Sequence, residues 1–165
     1  AGVLLFGLEA GIGIGVVLST ATLLFRASTP HIAVIGRIRG SEHFRNVERH
    51  EVETQPGALF IRIDERLFFG NLSAVEDYIN RALGAHGDAR DLVLVMSAVN
   101  LMDATAVEVF DELNRDLSER QIRLNLAEVK GPVQDRLMRT GFWQALSGEV
   151  YLSANDAFEA LHGKA

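Results

Sequence analysis

Hydrophobic positions divide the chain in two. Residues 1–25, AGVLLFGLEAGIGIGVVLSTATLLF, form an apolar run broken by one charge, Glu9, whereas from Arg26 onward apolar and polar positions alternate at short periods. About 20 apolar residues at 1.5 Å rise each cover a hydrocarbon core of roughly 30 Å, so the run predicts a membrane-crossing helix. With no basic leader and no small-residue cleavage site, it does not read as a cleaved secretory signal. The chain opens on Ala1 already inside the apolar run, which is the expectation for the C-terminal portion of a longer protein.

Ser28-Thr29-Pro30 ends that helix, because proline lacks an amide donor and biases the residue before it toward extended backbone. Strands are predicted at His31–Ile35, around Val47 and at Ala58–Ile63, the last opened by the Pro56-Gly57 turn. Val75, Ile79, Ala82 and Leu83 have helical spacing, with Ser73 and Glu76 as a capping box and Gly84 and Gly87 as the stop. Leu92–Met96 is the most continuous apolar strand, as expected where both faces are covered. A helix follows with Ala106, Val109, Phe110, Leu113 and Leu117 on one stripe. Then come a strand at Ile122–Ala127, a helix opened by Gly131-Pro132, a short strand at Val150-Tyr151 and a helix over about Ala154–His162. Strands alternating with helices define an α/β domain whose helices pack on a mostly parallel or mixed sheet.

Charge sets orientation and excludes partners. Arg26, Arg37, Arg39 and Arg45 follow the apolar run with only Glu42 against them, and such an excess marks the cytoplasmic side of a span. A net charge of -6 argues against nucleic acid as a partner. Within the run, Gly7, Gly11 and Gly15 recur every four residues, which suits close helix packing and also suits the general frequency of glycine in membrane helices. Glu9 lies nearly opposite them; a carboxylate at that depth serves either an ion or proton pathway or a hydrogen bond to a neighbouring helix.

No phosphate-binding GxxxxGK[ST] loop, GxSxG elbow, HExxH helix or cysteine pair is present, and the five histidines lack metal-ligand spacing, so neither an enzyme nor a metal or cofactor site is expected. Arg62 and Asp64 straddle the end of an apolar strand, where a structural ion pair is expected ahead of a catalytic role. One segment stands out. From Asp91 the chain runs through a buried strand and a short loop into the helix N-terminus at Asp103, Ala104, Thr105 and Ala106, where free amides and the helix dipole favour an anion or a nucleotide phosphate. Thr105 with Glu108 reads as that helix's capping box.

Ser97, Val99, Met102, Asp103, Thr105 and Ala106 stand in a pattern that resembles the signature of STAS domains, the fold shared by anti-sigma-factor antagonists and the cytoplasmic tails of SulP anion permeases. The antagonists usually carry Ser-Gly where this chain has Thr105-Ala106, and that hydroxyl is their phosphorylation site. Four further segments, Leu8–Ser19, Pro30–Ile38, Pro56–Asp64 and Leu67–Asn71, resemble, in order, the last membrane helix and STAS opening of the SulP permeases. The resemblance implies residues 1–27 as the last transmembrane helix and residues 28–165 as a cytoplasmic STAS domain with a mixed sheet. It also implies a multi-pass plasma-membrane protein that moves sulfate, bicarbonate, chloride or dicarboxylates as a homodimer. The partners would then be the rest of the membrane domain and lipid, and the anion would be held by earlier helices. The rival expectation is a membrane-tethered antagonist-like module switched by phosphorylation at Asp103 and Thr105.

Overall fold

The computed structural model describes residues 7–162. In chain order the elements are α1 (Leu8–Ala27), β1 (Ile32–Arg37), β2 (Phe44–Asn46), β3 (Ala58–Ile63), α2 (Leu72–Ala85), β4 (Asp91–Val95), α3 (Ala104–Glu119) and β5 (Arg123–Ala127). They are followed by α4 (Gly131–Arg139), α5 (Phe142–Ala145), β6 (Val150–Tyr151) and α6 (Ala154–Leu161). The six strands form one sheet in the order β2-β1-β3-β4-β5-β6. β1 is antiparallel to both β2 and β3, and β3 through β6 run parallel.

Period-2 alternation sends each strand's side chains to two different cores. In β4, Leu92 and Leu94 face a large core with Ile61, Ile63, Leu124 and Leu126, closed by Ile79 of α2, Phe110 and Leu117 of α3 and Leu137 of α4. Val93 and Val95 face the other side, where α6 lies across the sheet. There Phe44, Phe60 and Phe158 form a triangle with ring centroids 5.7–5.8 Å apart. Such aromatic contacts are worth about 0.5–1.5 kcal/mol each beyond buried area. Continuous burial along β4 is thus the product of helices on both faces.

Several local expectations are corrected. β1 continues past Gly36 to Arg37, because a Cβ at Gly36 would lie 2.6 Å from Val52 Cγ2 and 2.7 Å from the Glu53 carbonyl oxygen, so only glycine lets that loop approach. α2 has Asn71 as its N-cap residue with Ser73 inside the helix, so the Ser73–Glu76 capping box is not formed. Gly84 lies within α2, which ends at Ala85. Gly7 precedes α1 with φ +85, which leaves Gly11 and Gly15 alone of the three glycines in the helix.

The expected span over 1–27 begins in residues 1–6, outside the described residues. Among the described residues no helix is long and apolar enough to cross a membrane. What α1 does show is exposure: Ile12, Val16, Val17, Leu18, Leu23, Leu24 and Phe25 all face outward. Glu9 is exposed in the first helical turn, where the helix dipole favours a carboxylate.

Candidate functional site

The strands β3, β4, β5 and β6 end together, and the loops beyond them carry the residues that the sequence pattern singles out. Asp103 is the N-cap of α3, its Oδ1 accepting from the Ala106 amide at 2.8 Å. Its Oδ2 accepts from the Phe69 amide at 3.0 Å. The backbone adds a second tie: the Asp103 amide donates to the Leu67 carbonyl at 3.2 Å, and the Leu67 amide donates to Leu101 at 3.0 Å. One carboxylate therefore both starts α3 and fastens the Phe68-Phe69 loop to it. Asn71 completes that loop, with Oδ1 accepting from Phe68 N at 3.1 Å and Nδ2 donating to Arg66 O at 2.8 Å.

This geometry corrects the role given to Thr105. Thr105 lies inside the first turn of α3 and is exposed, while Asp103 occupies the cap, so the Thr105–Glu108 capping box does not form. The difference follows from backbone angles: a cap needs extended backbone, and Asp103, at φ -80 and ψ 178, is the residue that has it. Ala104 is exposed beside Thr105, whereas Ala106 is fully buried against the core. The anion that the helix end attracts is already supplied by the chain, in the Asp103 carboxylate.

A second charged group sits where the chain enters from α1. Asp64, just past β3, accepts from Arg62 Nε at 2.6 Å and Nη2 at 3.0 Å, and His31 Nδ1 lies 2.9 Å from its Oδ2. Burial pushes the Asp64 carboxyl up, but the Arg62 and His31 hydrogen bonds outweigh it and hold the group below its ordinary value. The same Asp64 hydrogen bond holds Arg62 above its own ordinary value. A carboxyl whose folded pKa is lowered contributes stability above the unfolded pKa, about 3.9, and that contribution disappears as pH falls through the folded pKa. Asp64→Asn is therefore expected to unfold at lower urea than the parent at pH 6, with the gap closing toward pH 3. Urea titrations across that range check this.

Two buried asparagines were not singled out by pattern. Asn125, in the middle of β5, donates to Asp91 Oδ1 at 2.9 Å and accepts from the Glu149 amide at 2.9 Å. Asn114 of α3 donates to the Ala145 carbonyl at 2.8 Å and accepts from the Ser147 amide at 3.0 Å. Together they pin the 145–149 loop that delivers β6. The available signal was a polar residue between Leu124 and Leu126, since a buried amide persists only when its hydrogen bonds are met. A recess of about 830 Å³ lies between α3 and α4–α5, lined by Val107, Asp111, Arg136 and Phe142. Glu108, Asp135, Arg139 and Thr140 also line it.

The mixed sheet, the helices on its two faces and the strand–loop–helix turn at Asp103 define an α/β module. The STAS domain family matches residues 49–157, and the chain belongs to it. Sulfate transporter 4.1, chloroplastic, of Arabidopsis thaliana is 31% identical over 169 residues, covering 94% of this chain and 24% of that protein. The chain thus spans about a quarter of the length of the curated relatives it matches. The murine Solute Carrier 26 family member A9 anion transporter shares the fold with a TM-score of 0.82 at 16% identity, over 92% of this chain and 25% of that one. A putative anti-sigma factor antagonist from Thermotoga maritima shares it with a TM-score of 0.58 at 15% identity, over 67% of this chain and 92% of that one. These are transporter and STAS domains, and the chain is a non-enzymatic domain.

Proposed function

We propose that the chain is the C-terminal part of a SulP-type secondary anion transporter, in which α1 closes the membrane domain and residues 28–165 form its cytoplasmic regulatory and assembly domain. The observation that carries this reading is the extent of the likeness. Agreement with the anion transporter covers 92% of the chain, a share that residues 28–165 cannot fill, so it reaches into α1. The antagonist covers 67%. The apolar, outward-facing surface of α1 and the apolar run of sequence before it support a helix that sits in lipid or against other membrane helices.

In this reading the transported ion belongs to the sulfate, bicarbonate, chloride or dicarboxylate class and is bound by helices outside this chain. The protein works as a homodimer in the plasma membrane. Gly11 and Gly15 give α1 a smooth side for a neighbouring helix, and Glu9 meets either an ion pathway or a hydrogen-bond partner there. Phosphorylation at Thr105 is a second reading, favoured by the exposure of that hydroxyl in the first turn of α3. A phosphate there gains from the helix dipole and is opposed by the adjacent Asp103.

The test is uptake of labelled anions by the full-length protein in liposomes, with and without sodium or proton gradients, beside a version lacking residues 31–165. The expected result is gradient-dependent uptake of at least one of these anions, and a truncated protein that still binds the anion but assembles or transports poorly. Complete loss of anion binding in a folded, inserted truncation would overturn the division of roles.

A further inference from the structure

The sheet has one end that differs from the rest of the surface, and its meaning rests on α1 being a membrane helix. Among the described residues outside α1, the large apolar side chains left exposed are Phe69, Leu101, Met138 and Leu152. Phe69 follows β3, Leu101 follows β4 and Leu152 follows β6, so three of these four leave the sheet at the C-terminal ends of its parallel strands. β1 runs the other way, pairing Ile32 with Ile63, which brings the chain from α1 to that same end.

The connection is short. Residues 28–31 separate α1 from β1, and at no more than about 3.6 Å per residue the helix end lies within roughly 18 Å of the strand. It is also tied down: Ser28 Oγ donates to Leu24 O at 2.8 Å, Thr29 Oγ1 donates to Phe25 O at 3.1 Å, and His31 meets Asp64. If α1 lies in a bilayer, this end of the domain faces the headgroups.

Its chemistry suits that position. Phe69 is 74% exposed, Leu101 54% and Leu152 93%. Phe69 is held in place by the hydrogen bond that its backbone amide donates to Asp103 Oδ2 and by the edge-on Phe68 ring at 5.6 Å. Two basic side chains share the end. The Arg66 guanidinium lies 5.7 Å from the Phe68 ring centroid, and Lys130 Nζ donates to Asn100. Aromatic and aliphatic tips beside Arg and Lys are the composition of a surface that enters the membrane interface. Glu65, Asp103 and Glu128 stand nearby and the chain is acidic overall, so attraction to anionic lipid is not the driving term.

We infer that this end is a lipid-docking surface: Phe69, Leu101 and Leu152 enter the headgroup layer of a phospholipid bilayer, zwitterionic lipid being sufficient. The domain is then held against the membrane by these three contacts in addition to its tether.

The absence of native cysteine allows single labels. The full 165-residue chain in phosphatidylcholine nanodiscs, labelled in turn through Phe69→Cys, Leu101→Cys, Leu152→Cys, Met138→Cys or Val17→Cys, is probed with lipids carrying a quencher near the headgroup, and the Val17→Cys label, in the middle of α1, with lipids carrying the quencher deep in the acyl chain. The expected result is quenching at 69, 101 and 152 several-fold above that at Met138→Cys, together with quenching at Val17→Cys. Strong quenching at Val17→Cys with the three loops at the Met138→Cys level overturns the docking surface and leaves the membrane helix standing. An unquenched Val17→Cys removes the membrane helix, and the inference with it. The triple variant Phe69→Ser, Leu101→Ser, Leu152→Ser changes only exposed side chains and is expected to lower quenching of a Glu65→Cys label several-fold. Unchanged quenching there overturns the role of the three side chains. Labels quenched in this chain but shielded in the full-length protein would show a protein face in place of lipid, and would overturn the assignment.

Discussion

Asp103→Ala is expected to destabilise the domain by about 2–4 kcal/mol, combining a lost helix cap, typically about 1 kcal/mol, with a lost charge-assisted hydrogen bond of about 1.5–3 kcal/mol. Its two carboxylate oxygens serve two different segments, so truncation unties the Phe68-Phe69 loop and frays α3 together. Thr105→Ala changes an exposed helical position and should alter stability by no more than about 0.5 kcal/mol. Asp103→Asn should fall between them, because an asparagine keeps the cap but loses the charge. Urea denaturation followed by the fluorescence of Trp143, the single tryptophan, separates the three variants. A large loss at Thr105→Ala with a neutral Asp103→Ala would reverse the assignment of the cap.

Asn125→Ala is the second large effect, expected at about 2–4 kcal/mol. The residue is 2% exposed and its amide joins three groups: Asp91 beside it, itself 5% exposed, the Glu149 backbone and its own strand. Truncation leaves the Glu149 amide and one buried Asp91 carboxylate oxygen without their partner, the latter costing about 1–3 kcal/mol, although Arg123 still holds the other Asp91 oxygen at 2.7 Å. Asn125→Asp keeps the size but sets a second negative charge against Asp91, and should be at least as damaging at neutral pH. The damage should spread to β6, because the loop before it hangs on this side chain. Hydrogen exchange at Leu126 and Glu128, whose amides donate to Glu149 and Tyr151, should accelerate more than exchange in β3. Equal acceleration in both strands would mean that Asn125 acts on global stability alone.

Strand and helix order was legible from the chain because period and punctuation are local properties. Leu92–Met96 reads as a strand covered on both faces and is found one position earlier, at Asp91–Val95, while Gly131-Pro132 as a helix start and Pro56-Gly57 as a turn stand where the pattern puts them. The segment that carries the candidate site was legible for the same reason, as a strand leading through a loop into a helix. Which residue caps that helix was not. Thr105 and Asp103 are both good caps by type, and the choice depends on where the backbone turns from extended to helical. That point is set by Leu67 and Phe69, far away in sequence, bonding to the loop at 101–103.

By itself, the sequence determined the alternation of strands and helices that makes an α/β domain and the family signature around Asp103, since hydrophobic period and residue spacing are carried by neighbouring positions. Only the tertiary structure decided that Asp103 binds the Phe69 loop, that Asn125 and Asn114 hold the route to β6, and that Phe69, Leu101 and Leu152 share one end of the sheet with the chain from α1. These are contacts between residues 24 or more positions apart, and they exist because parallel strands bring separate loops to a common edge.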